Sequence, residues 1–393
     1  MTDSLNRYTW VDCVRSMLTI LVVAHHSALA YTTFARFESQ RYIDSTHPIV
    51  DSQRNVCLDI FQNFNDIFFM SLMFFIGGLF LHKSINKKGV KKFIEDRFYR
   101  LFIPFLFVGT ILMLIAHVPA YLMGHNSFEV YLYLKDFFIH EKWPVGPPWF
   151  IGVLFIFNVF FAFLSNILRR LSFSENGLYK IANRPFTLIL VLIVITWILY
   201  VPLALKTGSD KWGGIGPFEV QLSRILLYFG YFLLGAQVGL SNMNSTIFYS
   251  KSIMLNSWKG LIISAIFVFG LMTIIGQFKF LEQLVQNQII GLDLAWIIYY
   301  TIFACSCSMS CLAIIYLFRK KIAASNWFWN SLSQNAYMIY LLHYVFVIWM
   351  QFGLTNVAIF PITKFLIVFV CSLILSWCSS IILRKNKWIA KYL

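Results

Sequence analysis

The sequence predicts an all-α, polytopic integral membrane protein, with about ten transmembrane helices in one bundle. Three observations predict it. The 393 residues are 59% hydrophobic and only 12% charged, whereas a soluble domain carries about 25% charged residues to coat its surface. Apolar stretches close to the roughly 20 residues needed to cross hydrocarbon recur along the whole chain. The Lys and Arg residues behind the net charge of +15 sit mostly in short segments between those stretches. There they report orientation and anionic headgroups, and no long basic tail suggests nucleic acid. We therefore expect one transmembrane domain over residues 1–393, partnered by the lipid bilayer and not by nucleic acid.

The first apolar stretch, 11–34, follows MTDSLNRYTW, which has neither a basic n-region nor a small-residue cleavage site. It reads as a retained span. The second, 58–82, opens on Asp59, Gln62, Asn63, Asn65 and Asp66 before turning apolar at MSLMFFIGGLFL. Further spans are expected near 101–123, 149–168, 187–205, 222–240, 258–277, 294–318, 335–352 and 361–383. One set of alternate loops carries the basic runs at Lys83–Arg100, Arg169–Arg184 and Arg319–Lys321, and the segment after 383 adds Arg384, Lys385, Lys387 and Lys391. The opposite set is poorer by roughly two to one, which predicts cytoplasmic N- and C-termini and an even number of spans. The longest loops, 35–57 and 124–148, then lie outside. Seven cysteines form no CxxC pair, so neither a disulfide framework nor a metal site is expected.

Ionisable residues inside spans are costly unless paired or wetted, so they mark candidate sites. In the first span Arg15 and His26 are eleven residues apart, which brings them within about 20° of one helix face and about 16 Å apart in depth. Asp12 falls within about 40° of that line, and His25 is turned away by about 80°. A carboxylate and a guanidinium thus stand at the mouth, with an imidazole deep inside. Asp12 and Arg15 read equally as a helix-end anchor. A neutral imidazole near its usual pKa suits a general base. In the ninth span Tyr337, Tyr340 and His343 step by three along one broad face. They suit either interhelical hydrogen bonding or a site. The 83–100 loop, KSINKKGVKKFIEDRFYR, reads as a topology anchor or as a phosphate site, with Arg97 and Arg100 one turn apart.

Several blocks in order resemble the membrane-bound acyltransferase 3 family, which includes O-acetyl- and O-succinyltransferases of bacterial glycans. Asp12-x-x-Arg15 followed by His26 matches the family's Arg-x10-His motif. Met73-Phe-Phe-Ile-Gly-Gly78 is similar to its second-helix segment, although Gly77 stands where a Ser is usual. Phe93-x-x-x-Arg97-x-x-Arg100-Leu-x-Ile-Pro104 is similar to its RxxR segment. Pro148-Trp149-Phe150-Ile151, Phe229–Gly235 and Ser333–His343 resemble later segments.

The resemblance implies an enzyme in the bacterial inner membrane. Acyl-CoA, most simply acetyl-CoA, would dock at the cytoplasmic face as donor substrate rather than as a tightly bound cofactor. Arg97 and Arg100 would meet its phosphates, and Arg15 would either join them or orient the site. His26 would act as general base or transient acyl carrier on a glycan hydroxyl, with Asp12, Arg15 and His343 assisting. Trp149, Tyr340 and His25 would contact the acceptor, Trp149 being equally suited to an interfacial aromatic belt. A carrier or exporter of a glycan or acylated small molecule is the alternative, although no pair of Gly/Pro-broken spans supports it.

Overall fold

The computed structural model describes residues 8–125, 127–322, 324 and 326–393; the MTDSLNR segment weighed above as a leader lies outside them. The chain is a helical bundle. Among the described residues nine helices are long and apolar enough to cross a membrane. Helix α1 (Thr9–Leu29) stands beside them with 21 residues, about 31 Å of helix. It is not among those nine, since it carries the charged and imidazole groups noted above, and it packs on α2 (Val56–Gly78), α15 (Trp327–Leu354) and α16 (Pro361–Leu383). The expected ten spans thus become nine lipid-compatible helices around a more polar one.

The region read as a basic loop is helical. Helices α3 (Leu81–Lys88) and α4 (Val90–Arg97) meet at Gly89, whose φ of +76° makes the turn in a conformation open to glycine at little steric cost. Beyond α4 the chain runs through two wide π-turns, Phe98–Phe102 and Pro104–Gly109, into α5 (Thr110–His125). Pro104 has no N–H to offer the carbonyl one turn back, which breaks the regular ladder there. Charge composition hid this helix, because its polar residues face water on an amphipathic surface.

The rest alternates between the two ends of the bundle. After the short α6 (Val130–Lys135) come α7 (Trp149–Arg170), α8 (Glu175–Ala182) and α9 (Pro185–Thr207). An antiparallel hairpin of β1 (Trp212–Ile215) and β2 (Phe218–Gln221) follows, pairing Trp212 with Gln221 and Ile215 with Phe218. Then come α10 (Ile225–Leu240), the single turn α11 (Ile253–Asn256), α12 (Trp258–Gln277), α13 (Phe280–Gln286) and α14 (Leu292–Lys321). The chain closes through α15, α16 and α17 (Lys387–Tyr392).

Burial separates centre from rim. The apolar window of the α2 region is 78% buried and that of α14 67%, against 17% for α12 and 22% for α16. The first two are interior and the last two face lipid. The tightest crossing is α2 against α10. A Cβ on Gly78 would meet Phe232 O at 2.1 Å, one on Gly235 would meet Phe75 O at 2.0 Å, and one on Gly239 would meet Leu79 O at 1.7 Å. Gly235-x-x-x-Gly239 is the small-residue spacing that lets helix backbones touch where lipid supplies no hydrophobic drive between helices. Two blocks that were separate in sequence, MFFIGG and FGYFLLG, are therefore the two sides of one contact.

Candidate functional site

Five histidines gather around Tyr344. His26 of α1 lies 5.3 Å, ring centre to ring centre, from both His343 and Tyr344 of α15. His47 is 5.9 Å from Tyr344 and His117 of α5 is 6.3 Å from it. His25 adjoins His26 at 5.2 Å. Depth agrees across helices: His26 is about 26 Å along α1 from Thr9, and His343 about 24 Å along α15 from Trp327. His26 occupies the last turn of α1.

The rings are not equivalent. His25, His47, His117 and His343 are buried, and each has a fixed partner. His25 Nε2 contacts the Gln62 amide nitrogen at 2.7 Å, and its ring packs on Phe69 at 4.9 Å. This agrees with the helix phase that turned His25 away and commits it to α2. His117 Nδ1 donates to Met113 O at 2.9 Å. His343 Nδ1 donates to Tyr340 O at 2.7 Å, so the neutral ring bears its free lone pair on Nε2, which is buried with no partner. His26 alone of the five stays half-buried, and its Nδ1 has no partner either. A buried polar atom without a partner is costly, and here two such atoms lie on adjoining rings, where each could engage a group that supplies a proton. Among the described residues, no three His, Cys, Asp or Glu side chains are arranged to hold a metal ion.

Sequence reasoning missed His47, His117, Tyr344 and Gln351. The 35–57 segment, read as an outer loop, folds back into the bundle and buries His47, Ile49 and Asp51. Gln351 binds it there. The Gln351 amide donates to His26 O at 3.0 Å and Ser27 O at 3.2 Å, two carbonyls left open at the end of α1. Its oxygen then accepts from His47 Nε2 at 2.7 Å. Below, Lys364 of α16 meets Asp51 at 2.6 Å, with both side chains 1% exposed. Irregular backbone at this depth persists because protein, not lipid, surrounds it.

Helix α15 ties this cluster to the basic end. Tyr337 donates to Arg100 O at 2.8 Å, the carbonyl that Pro104 leaves without its helical N–H. Tyr340 donates to Pro147 O, just ahead of Trp149. The tyrosine face expected on α15 is present, but its hydroxyls are engaged by backbone carbonyls. His343 is six residues beyond Tyr337, about 9 Å along the helix.

At the basic end, Lys88 pairs with Asp96 at 2.5 Å, and Lys92 with Glu95 at 3.0 Å. Both local acids are thereby occupied. Arg97 is half-buried, its guanidinium lies 5.0 Å from the Phe93 ring, and its Nε has no partner; Arg100 is exposed. These are cations with unspent capacity for an anion. Asp12 and Arg15 form a 2.8 Å pair with side chains 19% and 45% exposed. This is the helix-end ion pair that the sequence allowed, and its exposure makes it worth about 1 kcal/mol or less. Trp149 opens α7 at the far end, enclosed by Trp212 at 5.6 Å, Tyr228 at 5.9 Å and Phe74 at 6.4 Å.

No curated protein and no solved structure shows a significant match to this chain. One family model, described as an acyltransferase domain, matches residues 8–381. That span takes in the paired Asp12 and Arg15, the basic helical hairpin, the glycine crossing and the whole histidine cluster. The chain therefore belongs to the acyltransferase 3 family, and it is a membrane acyltransferase acting on groups other than aminoacyl.

Proposed function

We propose that the protein moves an acyl group, most simply acetyl, from acyl-CoA at the cytoplasmic face to a hydroxyl of a cell-surface or exported glycan. It does so in the cell's inner membrane, with both termini cytoplasmic. The donor phosphates meet Arg97 and Arg100, and the thioester reaches along α15 towards His343. His26 takes the proton from the acceptor hydroxyl as that oxygen attacks the thioester carbonyl. The C–S bond breaks, and the proton passes to the departing thiolate of CoA. If His26 instead carries the acyl group, the same bond breaks at an earlier step. His343 offers its Nε2 lone pair to the proton on His26 or on the hydroxyl. Arg15 and Asp12 hold the start of α1. Trp149, Tyr340 and His25 shape the acceptor side from behind.

The observation that carries this reading is His26 itself. It is the one half-buried residue among the five, it lacks a partner on Nδ1, and it adjoins an unpartnered Nε2. The test is acetyl-CoA turnover to free CoA by protein in nanodiscs, with a glycan acceptor present. Wild type should turn over, His26→Ala should lose turnover, and Arg97→Ala should mainly raise the donor KM. If wild type consumes no acyl-CoA of any kind, His26 is a proton-coupling or packing residue and the carrier reading takes over.

A further inference from the structure

An apolar cavity of about 300 Å³ lies in the half of the bundle that carries the basic hairpin. Residues of α2, α10 and α14 form its back, and α8 with the first three turns of α9 forms its mouth. Arg169, at the end of α7 that leads into α8, donates to Asn86 Oδ1 of the hairpin, which fixes the side. The mouth opens towards lipid. Phe173 is 48% exposed there and Val191 43%, and the apolar window of α9 is only 28% buried.

No lining residue is charged, and the polar side chains among them already have partners inside the protein. Ser174 Oγ accepts from the Gly177 N–H at 3.0 Å and caps α8. Tyr316 donates to Ile247 O at 3.1 Å. The Tyr231 hydroxyl meets that of Thr196 at 2.9 Å, and Cys311 Sγ meets Phe68 O at 3.8 Å. A buried water needs about three polar partners, so water is a poor occupant. A cavity of about 150 Å³ lined by Leu, Ile and Phe takes up benzene, so one of about twice that volume takes roughly twelve carbons, most of an acyl chain. Such a guest restores the dispersion contacts that apolar walls otherwise lack. The cavity at the other end of the bundle, about 320 Å³, has the opposite character: it is polar and is backed by the ion pair of Arg224 with Asp66 at 2.5 Å.

The rim is cationic. From Arg169 to Arg184 the chain carries four cations, Arg169, Arg170, Lys180 and Arg184, against one carboxylate, Glu175. That carboxylate accepts from the Asn242 N–H at 3.3 Å. Lys180 and Arg184 are exposed, and both stand beside the lining. Lys180 precedes Ile181 of α8. Arg184 opens α9 by accepting the Leu188 N–H at 3.1 Å, one turn ahead of a lining residue. Long cationic side chains at helix ends lay their stems on apolar surface and hold their charge at the level of lipid headgroups. Basic pockets between helices at this level bind anionic headgroups. An apolar slot below two cations matches a molecule with an acyl tail and a phosphate head.

We infer that this cavity holds one acyl chain of an anionic phospholipid from the surrounding leaflet, with the headgroup phosphate on Lys180 and Arg184. Neither the histidine cluster nor Arg97 and Arg100 line it, so the inference stands apart from the transfer reaction. The test is native mass spectrometry of the full chain released from micelles containing equal amounts of dioleoylphosphatidylglycerol and dioleoylphosphatidylcholine. Wild type should retain one phosphatidylglycerol, favoured about tenfold or more over phosphatidylcholine. Lys180→Gln/Arg184→Gln should erase the preference and leave a lipid bound. Val191→Trp, at the exposed mouth, should lose the retained lipid of either kind. Ile198→Trp, two turns further along the lipid-facing stripe of α9 and outside the lining, should behave as wild type. Equal retention of the two lipids by wild type, a preference that survives the double glutamine variant, or lipid still held by Val191→Trp overturns the inference. Loss of lipid in both tryptophan variants does so too. Retention of oleoyl-CoA ahead of phosphatidylglycerol also overturns it and assigns the cavity to a long-chain acyl donor.

Discussion

Replacing Lys364 by Met removes the ammonium that faces Asp51 at 2.6 Å and leaves a carboxylate that is 1% exposed. The Gln53 N–H at 2.8 Å is then the hydrogen-bond donor left to that carboxylate among the described residues. Removing one partner of a buried pair strands the other charge and costs about 3–5 kcal/mol. Asp51→Asn strands the ammonium and should cost about as much. The double variant Asp51→Asn/Lys364→Met strands neither and should lie within about 2 kcal/mol of wild type. The coupling energy of the cycle is then at least about 4 kcal/mol in magnitude, far from additivity. The assay is reversible unfolding in mixed micelles, followed by tryptophan fluorescence. Each single variant should also lose turnover, since Asp51 and His47 share the segment that folds into the bundle, and the double variant should regain part of it. Additivity of the two single effects within about 0.5 kcal/mol would refute the reasoning, because it would mean that the charges are neither paired nor dry.

Two further outcomes follow from the packing. Gly235→Ala places a Cβ 2.0 Å from Phe75 O, with backbone on both sides. The α2–α10 crossing must part by more than about 1 Å to restore ordinary contact, so the variant should fail to run as a monodisperse species on size exclusion. Gly260→Ala, with nothing within 4 Å of its Cβ, should run as wild type. Gln351→Leu frees the carbonyls of His26 and Ser27 and the N–H of His47. Because displacements of about 1 Å in a site cost on the order of a hundredfold, steady-state kinetics should show kcat lowered ten- to hundredfold with the donor KM little changed; a raised donor KM at full kcat would contradict that role.

Much of this fold could be read from hydropathy, because the bilayer demands long apolar helices and leaves few other solutions. The Arg15–His26 spacing was legible for a similar reason: periodicity within one helix is local. What escaped was non-local or masked. His47 lies in a segment between spans, and nothing near it announces that Gln351, 304 residues away, will draw it inward. Gln351, His117 and Asp66 did carry a signal, each being a polar group inside an apolar span. The same criterion that singled out His26 and His343 reaches them once it is extended beyond motifs. The β-hairpin was hidden by its brevity, and the helical hairpin at 81–97 by its charge. The missing N–H at Pro104 is plain in the sequence, but that Tyr337, 237 residues from Arg100, comes to the carbonyl it frees is a tertiary fact.

The inward-folding segment also sets an order of assembly. Two of its ties to the rest of the molecule span 304 and 313 residues, to Gln351 and Lys364. During synthesis, α1 and α2 enter the membrane long before either partner has been made. Until α15 and α16 arrive, His47 lacks Gln351 and Asp51 lacks Lys364, its carboxylate keeping the local Gln53 N–H. The site therefore closes among the last steps of biogenesis, and a chain stalled before α16 would hold all its other spans and still present an open, hydrated pocket to the quality-control machinery.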